Sequence, residues 1–180
     1  MAANAHDEPR RRPLRIAGFD YSQPANYFVT ICTHGHRQIL GYVSGSEMRL
    51  NSAGAAVRGA WFDLPKRFPS IVLPEFVAMP NHVHAIIGLT RPIPPRNAGA
   101  ASSAPTTEKQ GLRYPSLANV VRTFKSVSAI EVNRILGRSG EPVWQRNYYE
   151  HIIRNAKEFQ RICKYILENP SHWHDDPENI

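Results

Sequence analysis

The sequence is poor in cysteine and has no long apolar run, and each absence excludes a class of protein. Its two cysteines, Cys32 and Cys163, are too few for a disulfide framework or a zinc ribbon, and both lie in apolar runs typical of small buried side chains. No stretch approaches the roughly 20 apolar residues of a membrane-spanning helix, and the opening residues lack the apolar core of a secretion signal. We therefore expect a cytoplasmic protein without a membrane partner.

Positive charge, by contrast, is in excess. The 180 residues contain 22 Lys and Arg against 15 Asp and Glu, a formal net charge of +7. Such an excess favours a polyanionic partner, because basic side chains displace the counterions of nucleic acid and steer it by long-range attraction. Arg10, Arg11, Arg12 and Arg15 lie in an N-terminal stretch, residues 1–17, that we expect to be a flexible arm. The arm either contacts phosphates or serves as a solubilising tail.

The remaining sequence predicts an α+β fold in one domain, residues 18–174, followed by a C-terminal tail at 175–180. Alternating and β-branched runs predict strands, and apolar residues at helical spacing predict helices. The strands are expected at 27–33, 38–42, 47–50, 71–79 and 82–89, a strand-like segment at 143–151, and helices at 52–67, 116–136 and 156–169. A segment rich in Pro, Ala, Ser and Gly at 90–112 predicts a flexible loop. This order favours a sandwich with the helices on one face of the sheet.

Two histidines flank one hydrophobic residue at the start of the strand at 82–89. Side chains alternate along a strand, so His82 and His84 point the same way while Val83 points into the core. Two convergent imidazoles can bind a divalent metal ion. The alternative is a pair of histidines on the solvated face of a half-buried strand.

The last predicted helix carries Arg161, Tyr165 and Asn169 at intervals of four, which places them on one side of the helix beside its apolar stripe. A tyrosine there is ordinarily a packing residue with a solvated hydroxyl. An asparagine before Pro170 ordinarily ends a helix. From the residues alone, both readings stay open.

Several segments together resemble the REP-associated tyrosine transposases of the single-tyrosine HUH nuclease superfamily. They are MPNHVHAII at 79–87, VWQRNYYEHIIRN at 143–155, KYILENPSHW at 164–173 and, at the start of the fold, GFDYSQPANYFVTICT at 18–33. The resemblance implies a ferredoxin-like sandwich, an antiparallel sheet with helices packed on it. It also implies that His82 and His84 bind Mg²⁺ or Mn²⁺, that Asn169 completes the metal site, and that Tyr165 is the nucleophile. Tyr148 and Tyr149 compete for that role, but only Tyr165 lies one helical turn before a possible ligand.

The implied reaction is a transesterification on single-stranded DNA, in which Tyr165 forms a 5′-phosphotyrosine and frees a 3′-OH. Imidazole and amide ligands without a carboxylate would leave the metal strongly positive and open to phosphate. Because tyrosine has a pKa of about 10, attack at neutral pH needs a base or a nearby positive charge. Lys164, Arg161 and His151 are the nearby candidates.

The expected partners are single-stranded DNA and hairpins of the REP type, bound by basic and aromatic side chains. The candidates are Arg10, Arg11, Arg12, Arg15, Arg122, Lys125, Arg146, Tyr148, Tyr149, Arg154 and Arg161. Such a transposase would be nucleoid-associated, as a monomer or a homodimer. Two other functions stay open: a domesticated hairpin-binding protein without productive cleavage, and a metal-dependent phosphodiesterase that activates water.

Overall fold

A computed structural model describes residues 24–90 and 115–180. The basic arm with Arg10, Arg11, Arg12 and Arg15 and most of the expected loop at 90–112 fall outside these ranges. In chain order the elements are β1 (Ala25–Cys32), β2 (Gly41–Ser44), β3 (Glu47–Leu50), α1 (Ser52–Phe62), α2 (Leu64–Arg67), β4 (Ile71–Val72), β5 (Phe76–Ala78), β6 (His82–Leu89), α3 (Leu117–Ile135), β7 (Tyr149–Ile153) and α4 (Ala156–Glu168). Short 3₁₀ segments span His34–His36 and Asn169–Asp175.

The main sheet has five strands in the order β4–β6–β1–β7, with β5 also paired to β6, and every pair is antiparallel. β4 and β5 are the two halves of the strand predicted at 71–79, which is interrupted around Pro74 because proline has no N–H to donate. The succession β1–α1–β4/β5–β6–α3–β7 is the β-α-β-β-α-β order of a ferredoxin-like fold. The predicted α+β class with an antiparallel sheet is thereby confirmed.

Helices cover both faces of this sheet, so the expectation of helices on one face is wrong. On one face, Val83, Ala85 and Ile87 of β6 belong to the main core, which also contains Trp61 of α1 and Phe124 of α3. On the other face, Ile86 of β6 packs with Ile153, Ile162 and Ile166 in a separate cluster that includes α4. All eight residues of β6 are buried, and a strand buried on both sides requires a covering layer on each.

Side-chain caps set the starts of the three long helices. Asn51 and Asn155 accept hydrogen bonds from the amides of Gly54 and Glu158, and Ser116 caps α3 in the same manner. The helix predicted at 52–67 is instead broken at Asp63 into α1 and α2. Pro65 is responsible, because it cannot donate the amide hydrogen bond that a continuous helix would need at that turn.

Two strand boundaries also differ from the prediction. The first hairpin strand starts at Gly41 rather than at 38, because the Leu40 amide donates to Pro80 O and its carbonyl accepts from Asn51 N. β7 starts at Tyr149, and the preceding residues approach the sheet through an isolated bridge between Thr33 and Trp144. No helix within 24–90 or 115–180 combines the length and apolarity needed to cross a membrane.

Candidate metal centre and nucleophile

The pairing of β1 with β6 brings the two histidines to the face that α4 covers. His82 lies opposite Cys32 and His84 opposite Thr30. Both imidazoles are buried, and their ring centroids are 4.4 Å apart. The predicted convergence of the two rings is therefore present in the fold.

Neighbouring polar groups hold each imidazole by its Nδ1 atom. The Asn81 amide Nδ2 donates to the Glu178 carbonyl at 2.6 Å, so Asn81 Oδ1, 2.8 Å from His82 Nδ1, is left to accept from that ring. His84 Nδ1 lies 2.9 Å from Thr30 Oγ1. With its Nδ1 proton donated to Asn81, His82 presents an unprotonated Nε2, the form that ligates a metal, and His84 presents the same atom when its Nδ1 donates to Thr30.

Asp176 adds a carboxylate that the sequence analysis did not include, and it corrects the expectation of a carboxylate-free site. Its Oδ2 lies 3.9 Å from the Nε2 atoms of both His82 and His84. The carboxylate accepts hydrogen bonds from Asn169 Nδ2 at 2.8 Å and from the Glu178 amide at 2.7 Å. Asp176 reaches the site because the 3₁₀ segment after α4 turns the chain back toward β6.

The Tyr165 hydroxyl lies 3.1 Å from His84 Nε2. The phenol ring packs edge-on against Phe28, with centroids 6.0 Å apart, while 42% of the residue stays exposed. Burial, followed by the nearby carboxylates of Asp176 and Glu178, raises the pKa of Tyr165 to about 12. The phenol is therefore protonated at neutral pH, and its use as a nucleophile requires removal of that proton.

The charge balance of the cluster fits a bound cation. Burial and the adjacent His84 lower the pKa of His82 to about 3, so its imidazole is neutral at pH 7. Burial raises the pKa of Asp176, but the adjacent His84 imidazole and the hydrogen bonds from Asn169 and the Glu178 amide outweigh it and keep the pKa below its usual range. A buried carboxylate thus lies beside the neutral imidazole of His82, and such a charge is costly without a counter-charge.

Buried polar atoms without a hydrogen-bond partner also favour a bound cation at this site. Among the described residues, His82 Nε2 and Asn169 Oδ1 are buried and have no hydrogen-bond partner. The ligand atoms of His82, His84 and Asp176 all lie within 4.8 Å of one another. The 3.9 Å separations lie between the spacings of adjacent and opposite ligands around Mg²⁺, about 3 and 4.2 Å for bonds of roughly 2.1 Å. These residues therefore fit a divalent ion, with Asn169 at the edge of the group.

A cavity of about 400 Å³ opens beside the nucleophile candidate. Aromatic rings, one arginine and two carboxylates line it: the lining includes Phe28, Tyr149, His151, Glu158, Arg161, Tyr165 and Glu178. His151 Nε2 lies 2.8 Å from Glu158 Oε1, and the Arg161 guanidinium lies 3.9 Å from the same oxygen. Arg161 is exposed at the cavity, and its ion pair with Glu158 is long at 3.9 Å, so the guanidinium can also reach an anion there.

The other residues predicted from the sequence are spread over the fold. Tyr149 lines the cavity, whereas Tyr148 packs against the main core on the opposite face of the sheet. Arg146 and Arg154 are exposed. Lys164, a candidate base, is exposed and pairs with Glu168 at 3.8 Å.

Two predicted DNA contacts lie on α3, which packs on the face away from Tyr165. Lys125 Nζ donates to the carbonyls of Gln145 and Arg146 at 2.5 and 2.9 Å, and burial lowers its pKa. Arg122 is exposed and donates to Asn119 one turn earlier. The structure thus gives Lys125 a role in holding the segment that leads into β7, and brings neither residue to the metal centre.

Comparison with known proteins gives matches in fold and in sequence. No protein-family model matches the chain. A solved structure, described as a REP-associated tyrosine transposase bound to a REP hairpin, aligns with a TM-score of 0.57 and 19% identity over 91% of this chain and 81% of that one. The chain therefore has the fold of a REP-associated tyrosine transposase, which confirms the sequence resemblance at the level of the fold.

The match in sequence is with a Haemophilus influenzae protein described as uncharacterized. It is 34% identical over 168 residues, which cover 92% of this chain and 91% of the relative. At that identity and coverage, the chain belongs to the same protein family as the H. influenzae protein.

Proposed function

We propose that the protein is a DNA strand transferase that cuts and rejoins single-stranded DNA at hairpins through a tyrosine nucleophile. The observation that carries the proposal is the position of the Tyr165 hydroxyl, 3.1 Å from His84 in a cluster that also holds His82 and Asp176. A phenol beside a cation-binding group is the arrangement needed for attack on a phosphodiester. The fold shared with a hairpin-bound transposase supports DNA as the substrate.

In the proposed step, the Tyr165 oxygen forms a bond to the scissile phosphorus and the bond to the 3′ oxygen breaks. The products are a 5′-phosphotyrosine and a 3′-OH, and no water is consumed. The phenol gives up its proton to solvent, and the departing 3′ oxygen takes up a proton from solvent, so the step balances without a proton on His84. A divalent ion, Mg²⁺ or Mn²⁺, held by His82, His84 and Asp176 with Asn169 beside them, would neutralise charge on the phosphate.

The single lone pair on His84 Nε2 can serve only one of two partners at a time. It can accept a hydrogen bond from Tyr165 or ligate a metal, because an unprotonated imidazole nitrogen has a single lone pair. The Tyr165–His84 hydrogen bond and metal ligation by His84 therefore exclude each other, and the phenol must find another acceptor when the ion binds.

The cavity beside Tyr165 is suited to a nucleotide next to the scissile phosphate. Phe28 and Tyr149 offer aromatic faces, and base stacking on such rings tolerates any sequence. Arg161 supplies a positive charge for a phosphate at the same opening. Tyr149 thus serves the proposed function as a stacking residue rather than as the nucleophile.

A single chain supplies every side chain of the proposed centre. Tyr165, His82, His84 and Asp176 come together within one copy. We therefore infer that a monomer is competent for cleavage. The activity should be first order in protein at concentrations where light scattering shows a monomer.

The test is a covalent protein–DNA adduct. The full chain is incubated with Mn²⁺ and single-stranded hairpin DNA from the repeats that flank its gene, labelled on the 3′ side of the cleavage site, and separated on a denaturing gel. The adduct should form with the unaltered protein and with Tyr148→Phe and Tyr149→Phe, and should be absent with Tyr165→Phe. Tyr148→Phe and Tyr149→Phe are the matched controls, since each removes one phenol hydroxyl elsewhere.

Other outcomes separate the alternatives. Cleaved ends without an adduct would indicate a phosphodiesterase that uses water, with Tyr165 as a packing residue. Hairpin binding without cleavage in any metal would indicate a binding protein. An adduct that persists in Tyr165→Phe would assign the nucleophile to another residue.

A further inference from the structure

A second cluster of metal-ligating side chains lies next to the first and supplies neither the nucleophile nor a ligand of the first site. It consists of Cys32 at the end of β1, His36 in the following 3₁₀ turn and Glu178 near the C-terminus. Glu178 Oε2 accepts a hydrogen bond from Cys32 Sγ at 3.3 Å and lies 3.8 Å from His36 Nδ1. The three ligand atoms are all within 4.8 Å of one another.

The His36 ring is aimed at this cluster by its backbone and by a second contact. Its φ of 50° makes it the one described non-glycine residue in the left-handed region, a conformation that carries strain and is concentrated at functional positions. On the far side of the ring, Nε2 lies 2.7 Å from the Gln145 side-chain amide. The Gln145 atom at this contact is the amide nitrogen, which donates to Nε2, so Nδ1 carries the ring proton in the metal-free protein. A cation at Nδ1 would replace that proton, and a half-turn of the Gln145 amide would let its oxygen accept from Nε2.

Nδ1 of His36 is a buried polar atom that has no hydrogen-bond partner among residues 24–90 and 115–180. At 3.8 Å the Glu178 carboxylate is too distant to be its acceptor or donor. A buried nitrogen without a partner costs free energy. A cation between His36, Cys32 and Glu178 would remove that cost.

Cys32 Sγ is buried and its proton is donated to Glu178 Oε2. Release of that proton on metal binding would supply the thiolate, the form of cysteine that ligates a metal.

We propose that Cys32, His36 and Glu178 form a second cation site, for a zinc-like ion. A thiolate, an imidazole and a carboxylate are all ligands of Zn²⁺, and the sulfur selects against the Mg²⁺ or Mn²⁺ of the first site. The ion would tie the C-terminal segment to the end of β1. Because Glu178 follows Asp176 by two residues, and its carbonyl accepts from Asn81, the second site would hold Asp176 in place over His82 and His84.

The test uses Co²⁺ as a spectroscopic replacement for Zn²⁺ on the full chain after chelator treatment. Ligation by sulfur produces a near-ultraviolet thiolate-to-cobalt charge-transfer band that nitrogen and oxygen ligands do not give. We expect the band in the unaltered protein, in His82→Ala and in Cys163→Ser, where Cys163→Ser removes the other cysteine. The band should be absent in Cys32→Ser and should vanish when Zn²⁺ is added in slight excess.

Glu178→Gln keeps the side-chain shape and the thiol, and so guards against misfolding of Cys32→Ser. It should retain the band but bind Co²⁺ at least tenfold more weakly. The absence of a charge-transfer band in the unaltered protein would overturn the proposal. So would a band that is lost in Cys163→Ser or in His82→Ala, or an unchanged affinity in Glu178→Gln.

Discussion

Acidification from pH 7 to pH 5 should destabilise the metal-free protein through a single buried side chain, His82. In the fold, burial and the neighbouring His84 lower the pKa of His82 to about 3, against 6.5 for an unperturbed histidine. Between these values the unfolded chain binds a proton that the folded chain does not. The free energy of unfolding therefore falls as the pH drops below 6.5, and it continues to fall until about pH 3.

The size of the fall in the free energy of unfolding follows from the pH interval between 6.5 and 5. One pH unit is worth about 1.4 kcal/mol per proton, so 1.5 units below pH 6.5 correspond to about 2 kcal/mol. Glu158 and Asp176 do not obscure this interval. The pKa values of Glu158, through its hydrogen bonds with the Arg154 amide and His151, and of Asp176 are lowered in the fold, so their stabilisation is lost only below about pH 4.5.

The measurement is urea unfolding followed by tryptophan fluorescence, in chelator, at pH 7 and pH 5. His82→Gln should lose most of the 2 kcal/mol difference between the two pH values, even if it is less stable at both. The matched control, His174→Gln, removes an exposed histidine and should keep the full difference. Equal pH dependence in His82→Gln and the unaltered protein would refute the assignment of the lost stability to His82.

Three further predictions concern the metal centre and the arm. Asn81→Ala should weaken Mn²⁺ binding, measured by calorimetry, about 10–100-fold, because it removes the hydrogen bond that orients the His82 ring. An unchanged affinity would show that Asn81 does not position His82. Tyr165→Phe should bind Mn²⁺ up to about tenfold more tightly, since it removes the hydroxyl that competes for His84, whereas loss of binding would make Tyr165 a ligand. Deletion of residues 1–17 should reduce the salt slope of single-strand binding by up to about 3, for four arginines at roughly 0.7 each; an equal slope would place the arm outside the interface.

The sequence predicted best the elements whose pattern is local. β6 was expected at 82–89 and spans His82–Leu89, and α3 and α4 begin within one residue of the starts expected at 116 and 156, where Ser116 and Asn155 cap them. Alternation and caps depend on residues within a few positions of each other, so they can be recognised without the tertiary fold. The split of the 52–67 helix has a local cause too, at Pro65, but its position within an otherwise regular pattern concealed it.

Properties that depend on distant contacts could not be predicted in this way. The apolar stripe of α4 indicates that Ile162 and Ile166 are buried, but not which face of the sheet buries them. Asp176 carries no periodic signal and lies more than 90 residues from the histidines. An acidic pair a few residues after Asn169, in a segment expected to be a tail, was the available hint. Its role is visible only once the 3₁₀ turn directs it to His82 and His84.

The pairing register of β1 and β6 connects the core to the chemistry. Val83 and Ala85 point into the main core, so alternation commits His82 and His84 to the opposite face. A slip of one residue would drive the imidazoles in among the core residues around Trp61 and expose valine and alanine to the site. Burial of polar rings without partners and loss of apolar burial would both oppose that slip. The apolar face of β6 therefore determines which side chains lie on its polar face. The same register sets Cys32 beside His82, so both proposed cation sites lie next to the C-terminal segment that carries Asp176 and Glu178.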